Sequence, residues 1–103
     1  MSKTLPYYAV IFTSERTEGD QGYDEMAEHM FSLASQQPGF IGVESAREKI
    51  GITVSYWKTL EDIARWKAQV DHQAAQRQGK QIWYSHYTVR ICKVEREYSF
   101  NLK

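Results

Sequence analysis

Apolar residues in Tyr7–Ser14 (YYAVIFTS) occupy both parities, with Tyr7, Ala9 and Ile11 on one face and Tyr8, Val10 and Phe12 on the other. A half-exposed strand alternates, so this run reads as a strand covered on both sides. The period then changes. Tyr23, Met26, Ala27, Met30, Phe31, Leu33 and Ala34 recur at spacings of three and four, which predicts an amphipathic helix. Glu15–Gly22 is a polar loop before it, with Asp20 a candidate N-cap and Asp24 and Glu25 suited to the first turn. Pro38-Gly39 ends the helix.

Phe40–Glu48 and Ile52–Lys58 follow as strands around Lys49-Ile50-Gly51, where Gly51 is expected to supply the positive φ of a tight hairpin. Thr59 with Asp62 three residues later resembles a capping box. Leu60, Ile63, Trp66 and Val70 give a second helical stripe, and Asp71 is a candidate cap for a short further helix ending at Gly79. Tyr84–Tyr98 reads as a long final strand. The order β-α-β-β-α-β is the ferredoxin-like α+β plan with an antiparallel sheet. Right-handed crossovers place the first and third strands centrally and both helices on one face. The other face is also apolar in the first strand, with Val54, Ile91 and Val94 adding to it. Such a surface predicts a homodimer through the sheet faces, with the tail Glu95–Lys103 pairing with or wrapping the partner.

Composition narrows the classes. The 103 residues suit one domain, 1–103. Aromatics make up 14%, enough to expect a pocket, an oligomer interface or both. Thirteen basic residues balance thirteen acidic ones and form no stripe, which argues against nucleic acid as a partner. The single cysteine, Cys92, leaves no internal disulfide and fits a reducing cytoplasm. No run approaches the ~18 apolar residues of a membrane span, and Met1–Pro6 does not open a signal peptide.

The motif PGF-x-G-x-E-S at Pro38–Ser45, then Gly51-Ile-x-x-Ser-Tyr-Trp, then Trp66, His72 and Trp83-Tyr84, resembles the antibiotic biosynthesis monooxygenase superfamily, in particular its uncharacterised bacterial subgroup. The resemblance covers almost the whole chain. It implies a dimeric α+β barrel. Some members oxidise polycyclic aromatic substrates with no metal or flavin, and others bind and degrade haem. Common members carry a Trp at the end of the third strand, matched by Trp57, and nine residues later a His, where Trp66 stands. A second His usually follows five residues on, and His72 lies one position beyond it. The haem-ligand position falls near Gln76, and the Asn of the first strand has no counterpart, so haem ranks last among the expected ligands.

The implied activity is that of a monooxygenase needing no cofactor, with molecular oxygen as co-substrate and a small aromatic or quinol-type molecule as ligand. Its site would lie between helices and sheet. His72 is the acid–base candidate, since an imidazole titrating near ~6.5 exchanges a proton at working pH. A phenol-type substrate must lose its proton before it can give an electron to O₂, and an apolar box must exclude water. Trp66 with His72 would be the catalytic pair; Trp57, Trp83, Tyr56 and His86 would contact the ligand. The plainer reading is that His72 is a surface residue and that Trp57, Trp66 and Trp83 are core. A non-catalytic small-molecule binder, or an assembly protein of the same fold, is the alternative. Glu44 and Arg47, three apart in a strand, should face opposite ways, with Glu44 pairing with Arg90 across the sheet or the dimer. His29 is expected at the surface and Cys92 as a small buried hydrophobe. The histidines have no metal-site spacing, and no glycine motif for nucleotides occurs.

Overall fold

The computed structural model describes residues 4–18, 22–77 and 84–102, with backbone only for 72–77. Its elements are β1 (Tyr7–Arg16), α1 (Tyr23–Ser35), β2 (Phe40–Arg47), β3 (Ile50–Trp57), α2 (Leu60–Arg77) and β4 (Tyr84–Val94). The strands form one antiparallel sheet in the order β2-β3-β1-β4. This is the ferredoxin-like α+β arrangement, with the first and third strands central as right-handed crossovers predict.

Register assigns the faces. Tyr8 pairs with Trp57, and Trp57 packs against Ala34 of α1 and Ile63 of α2, so both helices cover this face. Val10, Phe12 and Ser14 share it, as do Tyr87, Val89, Ile91 and Lys93 of β4. Ile91 therefore belongs to the helix side, not to the face opposite. The opposite face carries Tyr7 and Ala9, only 3% and 5% exposed, with Ile11 and Thr13, beside Tyr56, Val54 and Ile52 on one flank and Val94, Cys92, Arg90 and Thr88 on the other. Cys92 is exposed there rather than buried, because it lies on an edge strand, which has a neighbour on one side alone.

Helix ends are set by local chemistry. Gly22, at φ 84, is the N-cap of α1 and makes no side-chain cap, while Asp20 lies outside the described residues. Met26 and Ala34 are buried, whereas Ala27 and Phe31 of the expected stripe are exposed. Thr59 caps α2: its Oγ1 accepts from the Asp62 amide at 3.0 Å and donates to the Asp62 carboxylate at 2.8 Å. Asp62 is itself buried and pairs with Arg65 Nη1 at 2.8 Å. Gly39 allows this packing. Its φ is +82, and a Cβ there would overlap the Asp62 carboxylate. Asp71 does not break α2. It sits inside the helix, paired with Lys67 at 2.8 Å in the i,i+4 geometry that supports a continuous turn. Gly79, the expected end of a further helix, lies outside the described residues.

The hairpin differs from expectation. Its turn is Glu48-Lys49, and β3 already begins at Ile50. Gly51 is a buried strand residue and is not among the positive-φ glycines. The final strand stops at Val94 rather than Tyr98, since Val94 pairs with Tyr7, the first residue of β1, and no partner extends further. Beyond it the Tyr7 hydroxyl donates to Glu97, and Tyr98, Phe100 and Leu102 stand 85%, 84% and 88% exposed.

Candidate functional site

Two aromatic clusters occupy the helix-covered face. At one end Trp57, fully buried, stacks on Trp66 with ring centroids 5.8 Å apart and meets Phe40 edge-on at 5.5 Å. Its indole nitrogen donates to Ser55 Oγ at 2.9 Å, so the ring is satisfied as well as buried. Trp66 is only partly buried and packs against the same core. Trp57 is thus the floor beneath Trp66, without exposed surface of its own for a ligand.

At the other end Phe12 stacks on Tyr87 at 5.2 Å and meets Tyr84 edge-on at 5.3 Å, and Tyr84 meets Tyr23 of α1 at 5.9 Å. Arg16 lies over the Tyr23 ring at 3.7 Å, and Arg47 approaches the same ring at 5.8 Å. Arg47 Nη2 donates to Ser14 Oγ at 2.6 Å, and Ser14 is 0% exposed. Register explains the contact: Arg47, Gly51, Ser14 and Tyr87 form one row across all four strands. A Cβ on Gly51 would overlap the guanidinium, so glycine at this position lets Arg47 lie across β3. Between the clusters, Val89 and Ile91 of β4 are 47% and 52% exposed on the helix side, which leaves an apolar floor open beside Val10 and Phe12.

The phenol of Tyr84 is held well above its ordinary range. Burial is the main cause and the bond to Tyr23 adds to it, against an opposing pull from the Arg47 and Arg16 guanidiniums. Tyr84 is therefore a neutral hydroxyl at physiological pH, fit to hydrogen-bond and unfit to act as a base.

Trp57 and Trp66 lie together. Tyr56 does not join them: it pairs with Ala9 on the opposite face, where its hydroxyl donates to Glu44 at 2.8 Å. That bond pushes the Tyr56 phenol up to about 12, with burial and the Glu44 charge acting the same way. Glu44 and Arg90 do share a face and a row, but β3 and β1 lie between them, roughly 14 Å at ordinary strand spacing. His86 pairs with Glu15 and faces away from the helices. The irregularity at Glu15/Arg16 separates it from Tyr84, which turns inward. Arg47 does oppose Glu44, as their spacing predicts. The side chains of His72 and Gln76, and all of Trp83, lie outside the described residues. No cluster of metal-ligating side chains occurs among the described residues, nor does any of their helices have the length and apolarity to cross a membrane. A depression of about 340 Å³ lined by Gln37, Arg65, Ala68 and Gln69 has no aromatic lining.

A protein of Bacillus subtilis, the uncharacterized YqjZ, is 54% identical to this chain over 104 residues, covering 97% of the chain and 91% of YqjZ. The chain belongs to the YqjZ family. Several solved structures share its fold. SnoaB, a cofactor-independent oxygenase from Streptomyces nogalater, superposes with a TM-score of 0.73 over 88% of this chain and 95% of its own, at 10% identity. A candidate antibiotic biosynthesis monooxygenase from Bordetella bronchiseptica gives 0.67 over 91% and 99%, at 14% identity. NE2512 of Nitrosomonas europaea, a protein of unknown function, gives 0.69 over 94% and 97%, at 10% identity. No protein-family model matches the chain.

Proposed function

We propose that this member of the YqjZ family is a cofactor-independent oxygenase acting on a small aromatic or quinol-type substrate in the helix-side cleft. One observation carries the reading: Tyr87, Val89 and Ile91 of β4 leave an apolar strip exposed on the face that the helices otherwise cover. The same fold in SnoaB serves a cofactor-independent oxygenase. In such a site an electron-rich substrate anion transfers an electron to O₂, and apolar walls keep water from the intermediates. Tyr84 stays protonated, so the proton acceptor is His72 on α2, with Trp66 as the enclosing ring. Oxygen consumption with a panel of anthrols and quinols tests this. Turnover by the wild type that falls at least tenfold in His72→Ala supports it; wild-type turnover no higher than that of a His72→Ala, Trp66→Phe double variant removes it.

The working form in this proposal is a cytoplasmic homodimer joined through the sheet faces opposite the helices. Support comes from exposed Ile50 and Ile52 and from the row Glu44–Val54–Ile11–Arg90, which has an acid on one edge strand and a base on the other. Sedimentation at micromolar concentration checks it, and a 12 kDa particle would refute it. The second reading is a non-catalytic binder of the same ligand class. What favours it is that the one strongly perturbed group in the cleft among the described residues, Tyr84, is perturbed away from proton exchange. Ligand retention without oxygen consumption would select it. Haem ranks below both, and the absence of a saturable Soret shift on titration would close that option.

A further inference from the structure

Arg47 is an exposed residue at the end of β2. Its guanidinium is anchored by one neutral bond, to Ser14, and among the described residues no carboxylate lies within ion-pair distance of it. The nearby strand acids point elsewhere: Glu44 and Glu15 are on the opposite face. Water solvates an exposed guanidinium without a counter-ion, so what distinguishes Arg47 is that it is held in one place. Among the described residues the group is held in position by a neutral partner. Ser14 is fully buried and cannot turn its hydroxyl to water, and Gly51 clears the path across β3. Around the guanidinium stand the neutral phenol of Tyr84, the Tyr23 ring and the second guanidinium of Arg16. One strand beyond Ser14 in the same row, Tyr87 begins the open apolar floor that continues through Val89 and Ile91.

We propose that Arg47 is an anion-binding residue of this cleft, and that the natural ligand is an aromatic compound bearing a carboxylate. The planar guanidinium fork matches a carboxylate with two parallel hydrogen bonds, and the ring of the same ligand lies along Tyr87, Val89 and Ile91. Ser14 acts through Arg47 as a positioning residue, and Gly51 leaves it room. The proposal rests on the helix-side cleft being the ligand site, and it names the substrate class that the oxygenase reading leaves open.

The probes are 3-hydroxy-2-naphthoate and its neutral parent 2-naphthol, titrated calorimetrically into the full chain. Wild type is expected to bind the carboxylate at least about tenfold more tightly, the worth of one charge-assisted pair. Arg47→Gln should abolish that preference and leave 2-naphthol binding within about twofold. Gly51→Ala should abolish it as well, although the charge is kept, and Ser14→Ala should reduce it severalfold. Equal affinity for the two probes in wild type, or no binding of either, overturns the proposal. So does an undiminished preference in Arg47→Gln; if that variant fails to fold, an undiminished preference in both Gly51→Ala and Ser14→Ala does the same. Oxygen consumption is recorded in parallel. A carboxylate preference without oxygen uptake upholds the anion site while the oxygenase reading falls. Oxygen uptake with 2-naphthol and no preference upholds the oxygenase and overturns the anion site.

Discussion

Trp57 and Tyr84 project from the same face of one sheet, toward opposite ends of β1, and they differ in what surrounds them. Tyr8 and Ser14, their neighbourhoods' anchors on β1, are about 20 Å apart at ordinary strand rise. Around Trp57 everything closes: Phe40, Trp66, Ile63 and Ala34 pack on it, and the bond to Ser55 satisfies its indole nitrogen. Around Tyr84 the aromatic rings alternate with guanidiniums and hydroxyls, and the neighbouring strand stays exposed. The first arrangement buries area and fixes where α2 starts. The second gives up burial to keep charged donors beside an apolar floor. Aromatic richness in the sequence marks both ends alike; only the polar partners tell a stabilising cluster from one able to receive a ligand.

The contrast predicts unequal costs. Trp57→Ala should destabilise by about 3–5 kcal/mol, the range for a large buried ring, and Phe12→Ala by less than half as much; equal losses in urea denaturation would erase the distinction. Gly39→Ala should cost about 2 kcal/mol, through its positive φ and the displaced Asp62 carboxylate. No shift in the urea midpoint would show that the α2 start is looser than described. Thr59→Ala should cost about 1 kcal/mol by removing the cap. The smallest effect lies on the other face. The Tyr56 phenol is pushed up from 10 to about 12, mainly by its bond to Glu44. A raised folded value means that the stabilisation is complete below pH 10 and is lost as pH climbs through 12. Glu44→Gln should return the phenol toward 10 in an ultraviolet titration, with little change at neutral pH; an unchanged titration would remove the bond from consideration.

Much of this architecture is legible in the chain. The double parity of YYAVIFTS marks β1 as central, and Pro38-Gly39 and Thr59 with Asp62 mark the helix boundaries that form. What escaped depends on register. Phe40 and Arg47 are seven apart and should face opposite ways, yet the irregularity between Phe40 and Gly42 puts both on the helix side. A similar shift at Glu15/Arg16 parts Tyr84 from His86. Neither shift has a local signature. Ser14 and Arg47 are 33 residues apart and meet only because β3 lies between them in that register. One signal was available: a two-residue turn at Glu48-Lys49 sets an arginine opposite a glycine, which hints that the glycine serves a side chain rather than a turn. Lys67 and Asp71 at i,i+4 likewise argue for one long α2 over two short helices.

Gly51 ties three distant codons together. Any heavier side chain there evicts the guanidinium at 47 and strands the hydroxyl at 14. Lineages that lose the glycine should therefore drop the arginine too, and the trio should be inherited or discarded as a block.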